Sequence, residues 1–158
     1  QDADWTIYEY TLSLPRDFLA SSYVKSTDPQ QTVDLIYDPK FNLREQLILT
    51  GDLPLELGDD PHESAEIITY RPTKVVINTV SATNQLLFLS DTYYPGWRAA
   101  IDSQPAPILR ADLAFRAVAV PAGNHTVEFT YFPDSFKYGL YAAGVGLILS
   151  LLIYALYL

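Results

Sequence analysis

The chain has no cysteine, no methionine and only two histidines, and its 10 lysines and arginines face 19 aspartates and glutamates in 158 residues. Without cysteine there is no disulfide framework, no thiolate metal site and no cysteine nucleophile. A formal net charge of −9 removes the cationic surplus that counterion release on nucleic acid requires, so nucleic acid is not an expected partner. His62 and His125 have no second ligand at helical or hairpin spacing, and this stretch offers no metal site. Nucleophile elbows and glycine-rich phosphate loops are also missing. No catalytic residue and no cofactor are therefore expected here. Because the chain starts at Gln1 and lacks methionine, it reads as part of a longer polypeptide.

What is present is a long apolar run. Tyr138 to Leu158, YGLYAAGVGLILSLLIYALYL, carries no charge, and at ~1.5 Å per residue it covers roughly 30 Å, the hydrocarbon thickness of a bilayer. Tyr138 and Tyr141 at one end and Tyr154 and Tyr157 at the other suit the two headgroup layers. A buried core helix is the competing reading, disfavoured because this one is apolar on every side. Ala142, Gly146 and Ser150 recur every four residues, with Gly139 and Ala143 at the same spacing. Such a small-residue face suits close packing against other transmembrane helices of the parent chain.

Ahead of that run, 11 prolines and short β-branched or aromatic stretches predict a mainly β fold, an antiparallel sandwich of jelly-roll or immunoglobulin-like type. His125 to Phe132 is the clearest strand: Val127, Phe129 and Tyr131 alternate with Thr126, Glu128 and Thr130. Further strands are expected at Glu66–Tyr70, Lys74–Val80, Gln85–Thr92, Trp97–Asp102, Ala106–Arg110 and Phe115–Val120. Turns are expected at Tyr70–Thr73, Ala82–Asn84, Asp102–Pro105 and Pro121–Asn124, the last with Gly123 free to take positive φ. Asn124-His125-Thr126 matches a glycosylation sequon but reads as part of that turn. Asp28-Pro29 opens a short helix that ends near Asp38-Pro39, with Val33, Ile36 and Tyr37 on one face. Residues 51–65, with five carboxylates, read as a mobile acidic linker. The resulting organisation is a small α+β piece over 1–50, the linker over 51–65, the sandwich over 66–137 and one transmembrane helix over 138–158.

Asp91-Thr92-Tyr93-Tyr94-Pro95-Gly96-Trp97-Arg98 is the densest candidate site. Aromatic faces stack on sugar C–H surfaces while Asp91 and Arg98 hydrogen-bond hydroxyls, so Asp91, Tyr93, Tyr94, Trp97 and Arg98 are candidate glycan contacts. The alternative spends the rings on packing, and for Trp97 the core is the favoured place. In an extended segment Tyr93 and Tyr94 point to opposite faces, leaving one of them outward. Asp91, Asp102 and Asp112 are better read as surface acids than as an acid/base pair.

LSDTYYPGWRAAID (Leu89 to Asp102), ILRADLAFRAVAVPAGNHTVEFTYFPDSFKYG (Ile108 to Gly139) and LPRDFLASSYV (Leu14 to Val24) closely resemble the C-terminal region of bacterial YfhO-like membrane proteins. That resemblance implies a multi-spanning protein of glycosyltransferase C type in the bacterial cytoplasmic membrane. Such a protein moves sugar from a polyprenyl-phosphate donor to an envelope glycan, and its soluble domain lies on the extracytoplasmic side. The implied partners are the lipid bilayer, neighbouring helices, and glycan or lipid-linked sugar. The family's catalytic carboxylate belongs to an earlier loop, so none is carried over. Ser103 stands where glycine is common, which weakens the expectation of a tight turn, and Asn124 stands where lysine is common.

Overall fold

Eleven strands and two helices make up the part of the chain, residues 13–53 and 55–157, that a computed structural model describes. Expectations on residues 1–12, Pro54 and Leu158 lie outside it. The strands are β1 (Asp17–Ala20), β2 (Ser22–Lys25), β3 (Gln46–Leu49), β4 (Ser64–Arg71), β5 (Lys74–Ser81), β6 (Gln85–Thr92), β7 (Trp97–Ile101), β8 (Gln104–Ala106), β9 (Leu109–Ala111), β10 (Phe115–Val120) and β11 (Gly123–Tyr131). Helix α1 (Pro29–Ile36) follows β2, and α2 (Asp134–Leu156) follows β11. The strands form a six-stranded sheet, β1-β6-β10-β9-β3-β2, and a five-stranded sheet, β4-β5-β11-β7-β8. Among the strand pairs only β2–β3 is parallel. The molecule is thus mainly β, with two packed sheets and one apolar C-terminal helix.

Strand alternation explains the core. Val127 and Phe129 of β11 turn inward with Val75 and Ile77 of β5, and meet Leu19, Leu87, Leu89, Val118 and Val120 of the other sheet. Each such buried side chain contributes about 1.5–3 kcal/mol. A second cluster lies on the outer face of the six-stranded sheet, where Leu86, Phe88 and Ala117 sit side by side with Phe18, Ala20, Leu47 and Leu49 of the same sheet. Consequently Gln85 through Leu89 are all buried: the inner face of β6 meets the other sheet, and its outer face belongs to this second cluster, against which Leu53 and Leu57 of the 51–65 stretch pack. Three strands from the first fifty residues therefore build half of one sheet.

Residues 56–60 of the acidic stretch are fastened to the turn before β6. Gly58 N–H donates to Asn84 O (3.0 Å), Asn84 Nδ2 donates to Glu56 O (3.0 Å), and Asp60 Oδ2 accepts Ala82 N–H (2.6 Å). Backbone donors from Ala82 and His62 hold the Asp60 carboxyl below its ordinary value. Ser64 and Ala65 are already strand.

Several expectations are corrected. The single strand expected at Ala106–Arg110 is two, β8 and β9, in different sheets. Pro107 has no N–H for a ladder, and the chain changes sheet there. Tyr37, expected on the packed face of α1, is 81% exposed. It lies at the helix C-cap, and the buried position of α1 is Thr32, whose hydroxyl donates to Ser26 Oγ (3.1 Å) and Asp28 O (2.9 Å). Asp28 caps α1 through Gln30 N–H (2.9 Å), with Pro29 opening the helix. The long helix starts at Asp134, four residues ahead of Tyr138.

Two hairpin turns run through positive φ without glycine. Asp102 (φ 48°) and Ser103 (φ 69°) join β7 to β8, so the tight turn forms despite serine. Asp112 (φ 47°) and Leu113 (φ 70°) join β9 to β10. Each is held by its aspartate. Asp102 accepts Thr126 N–H (2.9 Å) and contacts His125 Nδ1 (2.6 Å), and Asp112 Oδ1 accepts Ile48 N–H (2.8 Å).

Candidate functional site

A bulge in β6 shapes one end of the sandwich. Arg116 pairs with Leu89 and Phe115 with Thr92, leaving Ser90 and Asp91 as the extra residues. Such an insertion re-aims side chains. Here Asp91 keeps the inward parity of Leu87 and Leu89 but stands where the core opens to solvent, 14% exposed. Opposite it, Arg116 shares the inward face of β10 with Val118 and Val120, and it is 1% exposed.

These two anchor a four-residue network drawn from distant segments. Asp91 Oδ2 accepts Arg116 Nη2 (2.8 Å), while Oδ1 accepts Arg16 Nη1 (3.0 Å) and the Tyr70 hydroxyl (2.9 Å). Arg16 Nη1 also donates to the Tyr70 oxygen (2.7 Å), and its guanidinium lies 4.8 Å from the Tyr70 ring centre. The Arg116 guanidinium lies over two aromatic rings of the facing sheet, 3.9 Å from the Trp97 ring centre and 5.2 Å from that of Phe129. Its Nε and Nη1 are buried with no hydrogen-bond partner, and the nearby rings stabilise the cation through their quadrupoles. Burial pulls the Arg116 guanidinium below its ordinary value, and the Asp91 charge opposes that. Burial, then the bond to Asp91, pushes the Tyr70 phenol up. Both Asp91 oxygens are thus committed to donors within the network.

Above the network opens a cleft of about 730 Å³ whose walls include Tyr70, Arg71, Tyr94, Trp97 and Tyr131, with Asp91 and Arg116 among its lining residues. Tyr94 and Trp97 also border a second cleft, about 350 Å³, beside Tyr93, Arg98 and Ile108. Of the five candidate contacts, Asp91, Tyr94 and Trp97 meet at the first cleft, and Tyr93 and Arg98 lie at the second. Both tyrosines are exposed, Tyr94 at 60%. Trp97 is partly buried against the core, with Tyr131 at 5.3 Å between ring centres. Arg16, Tyr70 and Arg116 escape a reading of the sequence. The available signal is in FRAVAV, where an arginine takes the core-facing phase of an alternating strand.

The loop bearing the aromatics is clamped to the start of α2. Phe132 N–H donates to Gly96 O (2.9 Å), and Arg98 pairs with Asp134 at 3.5 Å. Gly96 has φ +104°, and a Cβ there would stand 3.0 Å from Pro133 Cα and Tyr131 Cε2. Gly96→Ala is therefore expected to lower stability by about 2 kcal/mol through strain and crowding. Urea unfolding in detergent followed by near-UV circular dichroism checks this, with Gly144→Ala, which meets nothing within 4 Å, expected to be neutral.

α2 has 23 residues, about 35 Å of helix, and none is buried. Its length and composition suffice for one crossing. Gly139 and Gly146 face open space, Ala142, Ala143 and Ser150 are exposed with them, and the Ser150 hydroxyl returns to Gly146 O (2.9 Å). The small-residue face meets no other helix among the described residues.

Known proteins place this architecture. No solved structure matches the chain. The Bacillus subtilis (strain 168) protein named "Uncharacterized protein YfhO" is 26% identical over 88 residues, covering 56% of this chain and 10% of that protein. The chain thus spans about a tenth of that relative's length. The family model described as bacterial membrane protein YfhO matches residues 59–142, from just before β4 into α2, so the chain belongs to the YfhO family of bacterial membrane proteins.

Proposed function

We propose that this chain is a non-catalytic, extracytoplasmic domain of a polytopic, polyprenyl-phosphate-sugar-dependent glycosyltransferase of the cell envelope, and that its cleft contacts glycan next to the membrane. The observation that carries the reading is the pairing of an aromatic wall, exposed Tyr94 beside partly buried Trp97, with a fixed polar floor, Asp91 and Arg116. Sugar rings bind where C–H faces meet aromatic faces and hydroxyls meet oriented charges. The floor is pre-organised by two arginines and a tyrosine, so it loses little freedom on binding. The role assigned here is recognition and positioning, with the sugar-transfer chemistry elsewhere in the parent protein.

Titration of the detergent-solubilised chain with envelope oligosaccharides, followed by NMR, tests this. Shifts are expected at Arg71, Tyr94 and Trp97, which line the cleft, and their absence at millimolar ligand removes the glycan role. Tyr94→Ala is expected to weaken binding about fivefold to tenfold, the loss of one aromatic contact. Stability should change by no more than about 0.5 kcal/mol, since the ring is exposed. One observation favours a structural or partner-binding role instead: one face of the Trp97 ring is already occupied by Arg116 at 3.9 Å. Under that role Tyr94→Ala leaves glycan behaviour unchanged.

A further inference from the structure

We propose that the helix-proximal end of the sandwich is a docking face for the anionic headgroups of the bilayer that α2 enters, with Arg71 and Lys137 as its free cations and Tyr93, Tyr94 and Phe132 as its interfacial aromatics. The inference rests on the reading of α2 as a membrane span, and it shares Arg71 and Tyr94 with the cleft, so headgroups and glycan would meet the same face.

Spacing makes the contact hard to avoid. β11 ends at Tyr131 and α2 begins at Asp134, while the uncharged run begins at Tyr138. The first helical turn, Asp134 to Lys137, rises only about 6 Å, comparable to one headgroup layer of roughly 5–8 Å. The joint is stiffened by the Phe132–Gly96 hydrogen bond and by the edge-on Phe132–Phe136 pair, 5.7 Å between ring centres. The strand ends beside Tyr131 therefore lie at headgroup depth. Register identifies them: Trp97 opposite Tyr131, Lys74 opposite Thr130, and Arg71 opposite Lys74.

Charge is distributed to match. In a chain of net charge −9, six of the 10 lysines and arginines stand at this end: Arg16, Arg71, Lys74, Arg98, Arg116 and Lys137. The acids there are mostly engaged. Asp91 lies between Arg16 and Arg116, Asp134 beside Arg98, and Glu128 beside Lys74, and Asp17 is half-buried at the start of β1. Arg71 and Lys137 have no acidic partner within 4 Å among the described residues. The opposite end carries Asp102 at the β7–β8 turn, and Asp59, Asp60 and Glu63 precede β4. The domain is polarised along the axis of β11, cationic and aromatic toward lipid and acidic away from it. Basic side chains gain affinity for an anionic surface within a Debye length, and tyrosine suits the interface.

Amide hydrogen exchange of the full chain in lipid nanodiscs tests the proposal. Residues 71–74 and 93–98 are expected to exchange about fivefold more slowly in discs containing phosphatidylglycerol than in pure phosphatidylcholine, the factor expected for one basic side chain at the surface. Arg71→Glu or 0.5 M salt should abolish the difference. Equal exchange in the two lipids, with α2 protected in both, overturns the docking face and leaves the span intact. An α2 that exchanges freely in both discs overturns the span itself, and the docking face with it.

Discussion

Arg116→Ala is expected to cost about 3 kcal/mol of sandwich stability, a large fraction of the 5–15 kcal/mol available to a domain. Breaking a buried ion pair by deleting one partner typically costs 3–5 kcal/mol, because the surviving charge is left without compensation. Asp91 would keep Arg16 and Tyr70, which places the loss at the low end. The deletion also empties the space the guanidinium fills beside Trp97 and Phe129. Arg116→Lys should not rescue, since an ammonium lacks the planar surface that stacks on the rings. The double change Asp91→Leu with Arg116→Met removes both charges at similar volume and should recover most of the loss. Urea midpoints for the four proteins, in detergent and by near-UV circular dichroism, give the comparison. A single-variant loss under 1 kcal/mol would show that the stack and the pair do not hold this end together.

Asp112→Asn is expected to stabilise the protein at neutral pH by about 2 kcal/mol. Burial pushes the Asp112 carboxyl from 3.8 up to about 6, and the Ile48 N–H only partly offsets it. In the unfolded chain the group titrates near 3.8, so between about pH 4 and pH 6 the folded state binds more protons than the unfolded one. Stability from this group therefore falls as pH rises through that window and stays low above it. Asparagine keeps the oxygen that accepts Ile48 N–H, tolerates φ 47°, and carries no charge to bury. Burial likewise raises Asp17 and Glu63. Asp60 and Asp102 are lowered and act with the opposite sign, giving stability that is lost as pH falls through their depressed values. The difference between the parent and Asp112→Asn cancels these shared contributions. It should grow from near zero at pH 4 to its full value by about pH 7. A pH-independent difference would contradict a buried, raised carboxyl.

Which parts of this architecture are legible in the chain follows from how local their causes are. β11 and α2 are visible because their patterns are internal: a period of two from Val127 to Tyr131, and an unbroken apolar run after Lys137. β1, β2 and β3 are only four residues each, and what makes them strands is pairing with partners far along the chain. Pro107 marks a break inside an expected strand, yet only the two-sheet arrangement shows that the chain crosses there. The site divides in the same way. Asp91, Tyr94 and Trp97 are readable because one loop carries them. Arg16, Tyr70 and Arg116 join Asp91 across separations of 75, 21 and 25 residues, and the bulge that aims Asp91 exists only in the pairing of β6 with β10. The strained Asp102–Ser103 turn forms because Thr126 and His125 secure the aspartate, contacts with no local signature.

The proposal that α2 anchors this sandwich at the outer surface of the membrane is decided by thiol accessibility in intact bacteria. The chain has no cysteine, so Ala122→Cys, exposed in the turn between β10 and β11 at the end far from α2, provides a single reporter. A membrane-impermeant maleimide is predicted to label it in unbroken cells as fully as after lysis. Labelling that appears only once the cells are lysed would place the domain on the cytoplasmic side and contradict the account.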